Sequence, residues 1–166
     1  KDALFQAVMK APGDAMLTAF EAGPQDCPVA QLYRFATDYA ETVMRPEILS
    51  IARLIIGEAQ RFPHVGRAYQ AAGPDKVQAA LTAFMAQQAA AGHLTLDAPD
   101  LAAQDFWGLI LSGPRNQALH HPNDLPDAAQ ITRSVANGLR VFLRAYATAP
   151  ERALESLETL LKSTSV

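Results

Sequence analysis

The chain has 166 residues, of which 49% are hydrophobic and 19% are charged, and its formal net charge at pH 7 is −3. This length and composition allow one globular domain with a sizeable core and argue against intrinsic disorder. The acidic balance gives these residues no electrostatic attraction to nucleic acid or anionic lipid, so we expect neither contact from this segment.

The first half of the chain is predicted to be helical, because apolar residues recur at three- and four-residue spacing between Pro and Gly. A first helix occupies residues 1–22 and is interrupted at Pro12-Gly13. A second runs from Val29 to Arg45, where the following proline forces a turn. The third, from Glu47 to Arg61, has an apolar arc so wide that we expect this helix at the centre of the domain.

The second half continues the pattern, which predicts an all-α fold. A short helical piece follows Phe62-Pro63, and a longer helix extends from Gly73-Pro74 to Gly92. Next come a helix from Pro99, weakened at Ser112-Gly113-Pro114, and another over Asp127 to Ala147. A last helix covers residues 150–162. We find no linker long enough to divide the chain, so residues 1–166 form one domain.

The sequence offers no recognisable catalytic motif. We find no glycine-rich phosphate loop, paired-cysteine motif, zinc-protease motif or nucleophile elbow, so we expect no enzyme, cofactor or metal site. His120-His121 are adjacent loop residues that favour solvent over a metal. The single cysteine, Cys27, fits a reducing compartment, with the cytoplasm as the default. Residues 77–96 are uncharged but too weakly apolar to insert into a membrane.

Several segments together resemble a known family of regulators. Residues 1–8, Lys-Asp-Ala-Leu-Phe-Gln-Ala-Val, look like the helix by which TetR-family regulators leave their helix-turn-helix domain. The segment at residues 53–63 reads Arg-Leu-Ile-Ile-Gly-Glu-Ala-Gln-Arg-Phe-Pro. Together with Tyr69, Gly73-Pro74, residues 92–94 and residues 97–103, it is similar to the C-terminal domain of the AefR-like branch. This order of elements covers most of the chain.

The resemblance implies a multi-helix orthogonal bundle that binds an effector and pairs with a second subunit. Operator DNA would be bound by a helix-turn-helix domain upstream of Lys1, outside this sequence. Helices Pro99–Ser112 and Asp127–Ala147 would form a four-helix bundle with their twofold mates. Two departures affect these expectations: Pro12-Gly13 interrupts the connector helix, and the helix after Pro150 is an addition that could alter the dimer or cover a pocket.

The residues themselves also argue for a homodimer. The last two long helices carry more apolar surface than we expect a terminal hairpin to bury within one chain, and a twofold interface would cover it. The predicted dimerisation residues are Phe106, Leu109, Ile110, Ile131, Val135, Leu139, Phe142 and Tyr146. The alternative, that these residues only complete the core of one chain, stays open.

A small-molecule pocket is expected to have apolar walls and few polar anchors. Arg53 interrupts an apolar helix and, if buried, needs an acidic partner or an anionic ligand; otherwise it reaches solvent over its own alkyl stem. The candidate ligand-binding residues are Tyr33, Tyr39, Arg53, Phe84, Trp107 and Arg115. The resulting hypothesis is a repressor released by a small, largely hydrophobic ligand. The alternative is a stand-alone helical carrier or partner-binding bundle without DNA-binding activity.

Overall fold

A computed structural model of the protein describes residues 27–163. Seven α-helices account for most of this part of the chain, which confirms the all-α prediction. In chain order they are α1 (Pro28–Val43), α2 (Pro46–Glu58), α3 (Pro63–Ala72), α4 (Pro74–Ala90), α5 (Pro99–His120), α6 (Ala128–Tyr146) and α7 (Pro150–Ser163). The predicted helix of residues 1–22 and its break at Pro12-Gly13 lie outside the described residues.

Local sequence signals explain where the helices begin. Six of these seven helices start with a proline, whose fixed φ suits the first helical position and whose missing N–H would lack a partner there. The exception is α6, which begins with a capping box. The Asp127 side chain accepts from the Gln130 backbone N–H, and the Gln130 side chain accepts from the Asp127 N–H.

The core lies where α5 and α6 pack against each other and against α1, α4 and α7. Helix α5 makes its most extensive contacts with α6. Phe35, Phe106 and Phe142 are fully buried at the centre of this core, with Phe106 and Phe142 edge to face at 5.3 Å between ring centroids. Gly138 permits the close approach of α6 to α5, because a Cβ there would lie 2.4 Å from the Leu109 carbonyl oxygen.

Helix α2 is not at the centre of the domain, and that prediction is wrong. The helix buries one face, which includes Leu49 and Ile55, but leaves Leu54 63% and Ile56 64% exposed. It packs against α1, α3 and α5 from one side only. Part of the wide apolar face of α2 is therefore left exposed by the residues that the structure describes.

Helix α5 continues past Pro114 to His120, so the predicted end at Ser112 is also wrong. Proline has no N–H to donate to the carbonyl four residues earlier, that of Ile110. The Ser134 hydroxyl on α6 donates to this carbonyl oxygen at 2.9 Å. A hydrogen bond from the neighbouring helix thus replaces the missing one, and α5 remains helical.

The C-terminal helix α7 packs against α1 and α6. Its Leu157 is completely buried. Arg140 on α6 donates two hydrogen bonds to the Glu158 carboxylate, from Nε at 2.6 Å and from Nη2 at 3.1 Å. The predicted extra helix is therefore part of the domain body.

Most of the predicted dimerisation residues lie inside a single chain. Five of the eight are buried and have no surface left for a partner: Phe106, Ile110, Val135, Leu139 and Phe142. Leu109, Ile131 and Tyr146 are half-buried, and Tyr146 donates its hydroxyl to Asp105 of the same chain. The inference from surplus apolar area is corrected here, because α5 and α6 bury their apolar stripes against each other and their neighbours.

Within residues 27–163, no helix is both long and apolar enough to cross a membrane.

Candidate ligand-binding site

Helices α1 to α5 surround a partly open cavity of about 400 Å³. This volume is within the range of small-molecule sites. Its lining residues come from all five helices and from the turn before α4. They are Tyr39, Thr42, Val43, Ile48, Tyr69, Gln70, Gly73, Pro74, Asp75, Val77, Gln78, Gln104, Trp107 and Arg115.

Aromatic rings from α1 and α5 form one wall of the cavity. The ring centroids of Tyr39 and Trp107 are 4.2 Å apart. Phe35 lies behind them, 5.3 Å from Trp107, and is completely buried. The ring centroids of Phe35 and Phe106 are 6.0 Å apart, so the wall is continuous with the central core.

Gln78 on α4 fixes the orientation of the Trp107 ring. The indole Nε1 donates to the Gln78 side-chain oxygen at 2.6 Å. The Gln78 amide nitrogen donates in turn to the Asp100 carbonyl oxygen at 3.3 Å and to the Thr82 hydroxyl at 3.4 Å. Both ends of the Gln78 side chain therefore already have protein partners.

The polar groups at the cavity are arranged around Tyr39 and Arg115. Burial raises the pKa of the Tyr39 phenol; the nearby Arg115 guanidinium lowers it less, and Tyr69 adds to the rise. The phenol is therefore protonated at neutral pH and can donate a hydrogen bond. Arg115 Nε is buried and has no hydrogen-bond partner among residues 27–163. Arg115 is also the cationic residue of the cavity lining that the structure describes.

The order of helices around this cavity is that of a known family of regulators. The sequence profile of the family described as "AefR-like transcriptional repressor, C-terminal domain" matches residues 30–148. The chain belongs to this AefR-like family of TetR-type regulators. It is therefore the ligand-binding region of a transcriptional regulator. No curated protein sequence matches the chain.

Solved structures of TetR-family regulators share the fold of this AefR-like domain. A regulator from Mesorhizobium loti MAFF303099 superposes with a TM-score of 0.81 at 22% identity, over 88% of this chain and 73% of that one. The flavonoid-responsive regulator FrrA gives 0.68 at 26% identity, over 88% and 74%. A regulator from Pseudomonas syringae pv. tomato str. DC3000 gives 0.63 at 16%, over 84% and 72%.

Three of the six residues predicted to bind a ligand line the cavity of the AefR-like domain: Tyr39, Trp107 and Arg115. The structure places the other three elsewhere. Phe84 is buried in the core, and Tyr33 packs against the core from α1. Arg53 joins two helices, because its Nη1 donates to the Ala118 carbonyl oxygen at 2.9 Å.

The sequence reasoning missed the contributions of α3 and α4 to the cavity. Tyr69 lies near the end of α3, and Gln78 lies on the first turns of α4. The short Gly73-Pro74 junction between these helices was the available signal, since it forces their adjoining ends to lie together.

A second cavity of about 260 Å³ lies between α1, α6, α7 and the loop after α4. Arg152, Ala153 and Ser156 of α7 contribute to its lining, and Cys27 lies at its edge. Helix α7 therefore borders this second cavity and not the aromatic cavity.

Among residues 27–163, no cluster of three His, Cys, Asp or Glu side chains is arranged to hold a metal ion.

Proposed function

We propose that this AefR-like domain is the effector-binding and dimerisation body of a DNA-binding repressor, which a small, largely hydrophobic aromatic ligand releases from its operator. The observation that carries the proposal is the cavity walled by Tyr39 and Trp107, with Arg115 at its polar side. The DNA contact is assigned to a helix-turn-helix domain preceding this chain. A ligand that binds better to the form incompetent for DNA would shift the population away from the operator.

The chemistry of the cavity supports an aromatic ligand. Apolar walls with few polar anchors are typical of sites for small organic molecules, and two tilted rings offer flat surfaces for stacking. FrrA, which is 26% identical, is described as flavonoid-responsive. A planar, polycyclic aromatic molecule is therefore the ligand class that we propose for this chain.

The sole tryptophan of the sequence, Trp107, provides a direct test, because it lines the cavity. We expect a non-fluorescent aromatic ligand to change Trp107 emission in a saturable manner and to raise the melting temperature with ligand concentration. Val77→Phe is the variant chosen to block the cavity. Val77→Trp is unsuitable, because a second tryptophan would add to the Trp107 fluorescence. A matched control is Leu54→Phe, at an exposed position on α2 that does not line the cavity.

The regulatory part of the proposal needs the protein extended by the residues encoded upstream of Lys1. We expect this longer protein to bind its own promoter region in a gel-shift assay and to release it on adding the ligand. Sequence-specific binding should persist at several salt concentrations, since electrostatic binding alone weakens steeply with salt. Ligand binding without any DNA binding would instead favour the carrier function.

A further inference from the structure

The cavity contains a donor without an acceptor. Arg115 Nε is buried and has no hydrogen-bond partner in the described part of the chain, although the residue lines the cavity. Placing a charged donor away from water without an acceptor costs free energy, so such a group marks a place where a partner belongs.

The lining side chains that the structure describes do not supply that partner. Gln78 has its oxygen occupied by Trp107 and its nitrogen by Asp100 and Thr82. Asp75 also lines the cavity, but it is an exposed residue in the first turn of α4 and is not hydrogen-bonded to Arg115 Nε. Within residues 27–163 this acceptor is therefore missing, and an occupant of the cavity would supply one to the Arg115 guanidinium.

Building on the proposed function, we propose that the ligand is an aromatic carboxylate. Its carboxylate accepts from the Arg115 guanidinium, and its ring lies against Tyr39 and Trp107. The two oxygens of a carboxylate match the planar donor pair on one side of a guanidinium, and a charged pair is stronger than a neutral one. The Tyr39 phenol, protonated at neutral pH, is a second donor at this side of the cavity.

The charges at the cavity also limit the ligand. Arg115 and Asp75 are its charged lining residues among those the structure describes, and their signs are opposite. One carboxylate is compensated by Arg115, whereas a second anionic group would face Asp75 without a cation. A monocarboxylate is therefore preferred over a dianion.

Three probes of matched shape test this assignment by isothermal titration calorimetry on the full chain: 2-naphthoate, its neutral amide and a naphthalene dicarboxylate. We expect 2-naphthoate to bind at least about tenfold more tightly than the amide, as one added charge-assisted hydrogen bond implies. The dicarboxylate should bind more weakly than the monocarboxylate. Equal affinities for 2-naphthoate and the amide would overturn the inference and leave the proposed aromatic site intact.

Variants assign the effect to the guanidinium. Arg115→Gln should weaken 2-naphthoate binding by about tenfold and leave the amide within about twofold. Arg67→Gln removes the same charge from an exposed position on α3 outside the cavity and should change neither affinity. An equal loss in both variants would contradict a local role for Arg115. If Arg115→Gln fails to fold, the comparison of probes on the unmodified chain still decides.

The two proposals fail separately. If neither naphthalene probe binds at millimolar concentration, both the carboxylate assignment and the aromatic-ligand function are overturned. If both probes bind but do not differ, only the carboxylate assignment is overturned.

Discussion

Pro114 has no N–H, so the Ile110 carbonyl needs a hydrogen-bond donor from another helix. Ser134 on α6 provides this donor. Its hydroxyl donates to the buried Ile110 oxygen at 2.9 Å. We expect Ser134→Ala to lower the free energy of unfolding by about 1–3 kcal/mol, because the buried Ile110 carbonyl loses its hydrogen-bond donor. Urea denaturation measures this change.

Ser156→Ala is the control for this prediction. The Ser156 hydroxyl donates to the Arg152 carbonyl within α7, in an exposed hydrogen bond. Its loss should change stability by no more than about 0.5 kcal/mol, as is usual for surface substitutions. Similar losses in both variants would contradict the role assigned to Ser134.

Gly138 is required by the contact between α5 and α6. A Cβ would lie 2.4 Å from the Leu109 carbonyl oxygen and 2.7 Å from the Ile110 Cα, both backbone atoms that cannot move alone. We therefore expect Gly138→Ala to destabilise the protein by about 1–3 kcal/mol in urea denaturation, despite the higher helix propensity of alanine. Gly66→Ala on α3, where the new Cβ meets nothing within 4 Å, should be neutral or stabilising. If Gly138→Ala leaves the free energy of unfolding unchanged, α5 and α6 can move apart at little cost.

At the scale of elements, α7 is held to α6 partly by the Arg140–Glu158 pair, and this contact should depend on pH. The hydrogen bond from Arg140 lowers the Glu158 pKa in the folded protein. The contribution of Glu158 is thus present above its unfolded pKa of about 4.3 and is lost as pH falls through the lower folded value. We expect Glu158→Gln to lower the melting temperature slightly at pH 7, with the difference vanishing in acid.

Glu155→Gln makes the same change at an exposed position on α7 and serves as the control. High salt should reduce the effect of Glu158→Gln at pH 7, because the pair is partly exposed and screened. A difference that persists unchanged at low pH would assign the effect to something other than the ionised carboxylate.

Helix starts could be predicted from the sequence because their cause is local. A proline such as Pro46 or Pro99 both ends the preceding segment and suits the first helical position. The course of α5 beyond Pro114 could not be predicted, because the replacement hydrogen bond comes from Ser134, distant in sequence. The hydrogen bond of Arg53 could not be predicted either, because its acceptor, the Ala118 carbonyl, lies on another helix.

The cavity was predictable only in part for the same reason. Aromatic residues and an arginine on α1 and α5 indicated the types of side chain that line a ligand site, and Tyr39, Trp107 and Arg115 do line it. Phe84 has the same character but faces the core, because the packing of α4 decides its direction. Gln78 became important only through its contact with Trp107.

At the scale of the molecule, the proposed dimer must use the outer faces of α5 and α6, because their inner faces form the core. One exposed stripe on each helix defines this outer α5–α6 face. Its members are Leu101, Asp105, Gly108, Ser112 and Asn116 on α5, and Gln130, Arg133, Asn137, Val141 and Arg144 on α6. The face is mixed in character, and its small residues would let two such helices approach closely.

In a twofold interface both copies use the same patch, and residues close to the axis meet their own equivalents. Gly108 lies in the middle of the α5 stripe, and a side chain added there meets nothing within 4 Å in one chain. Gly108→Glu should therefore leave the fold intact but bring two carboxylates together across the axis, beside the Asp105 carboxylates already present. We expect the dimer dissociation constant to rise at least about tenfold in sedimentation equilibrium. Gly66→Glu makes the same change in open space on α3 and should leave the dimer dissociation constant unchanged. If the Gly108→Glu protein still dimerises normally, the interface does not lie on the outer α5–α6 face.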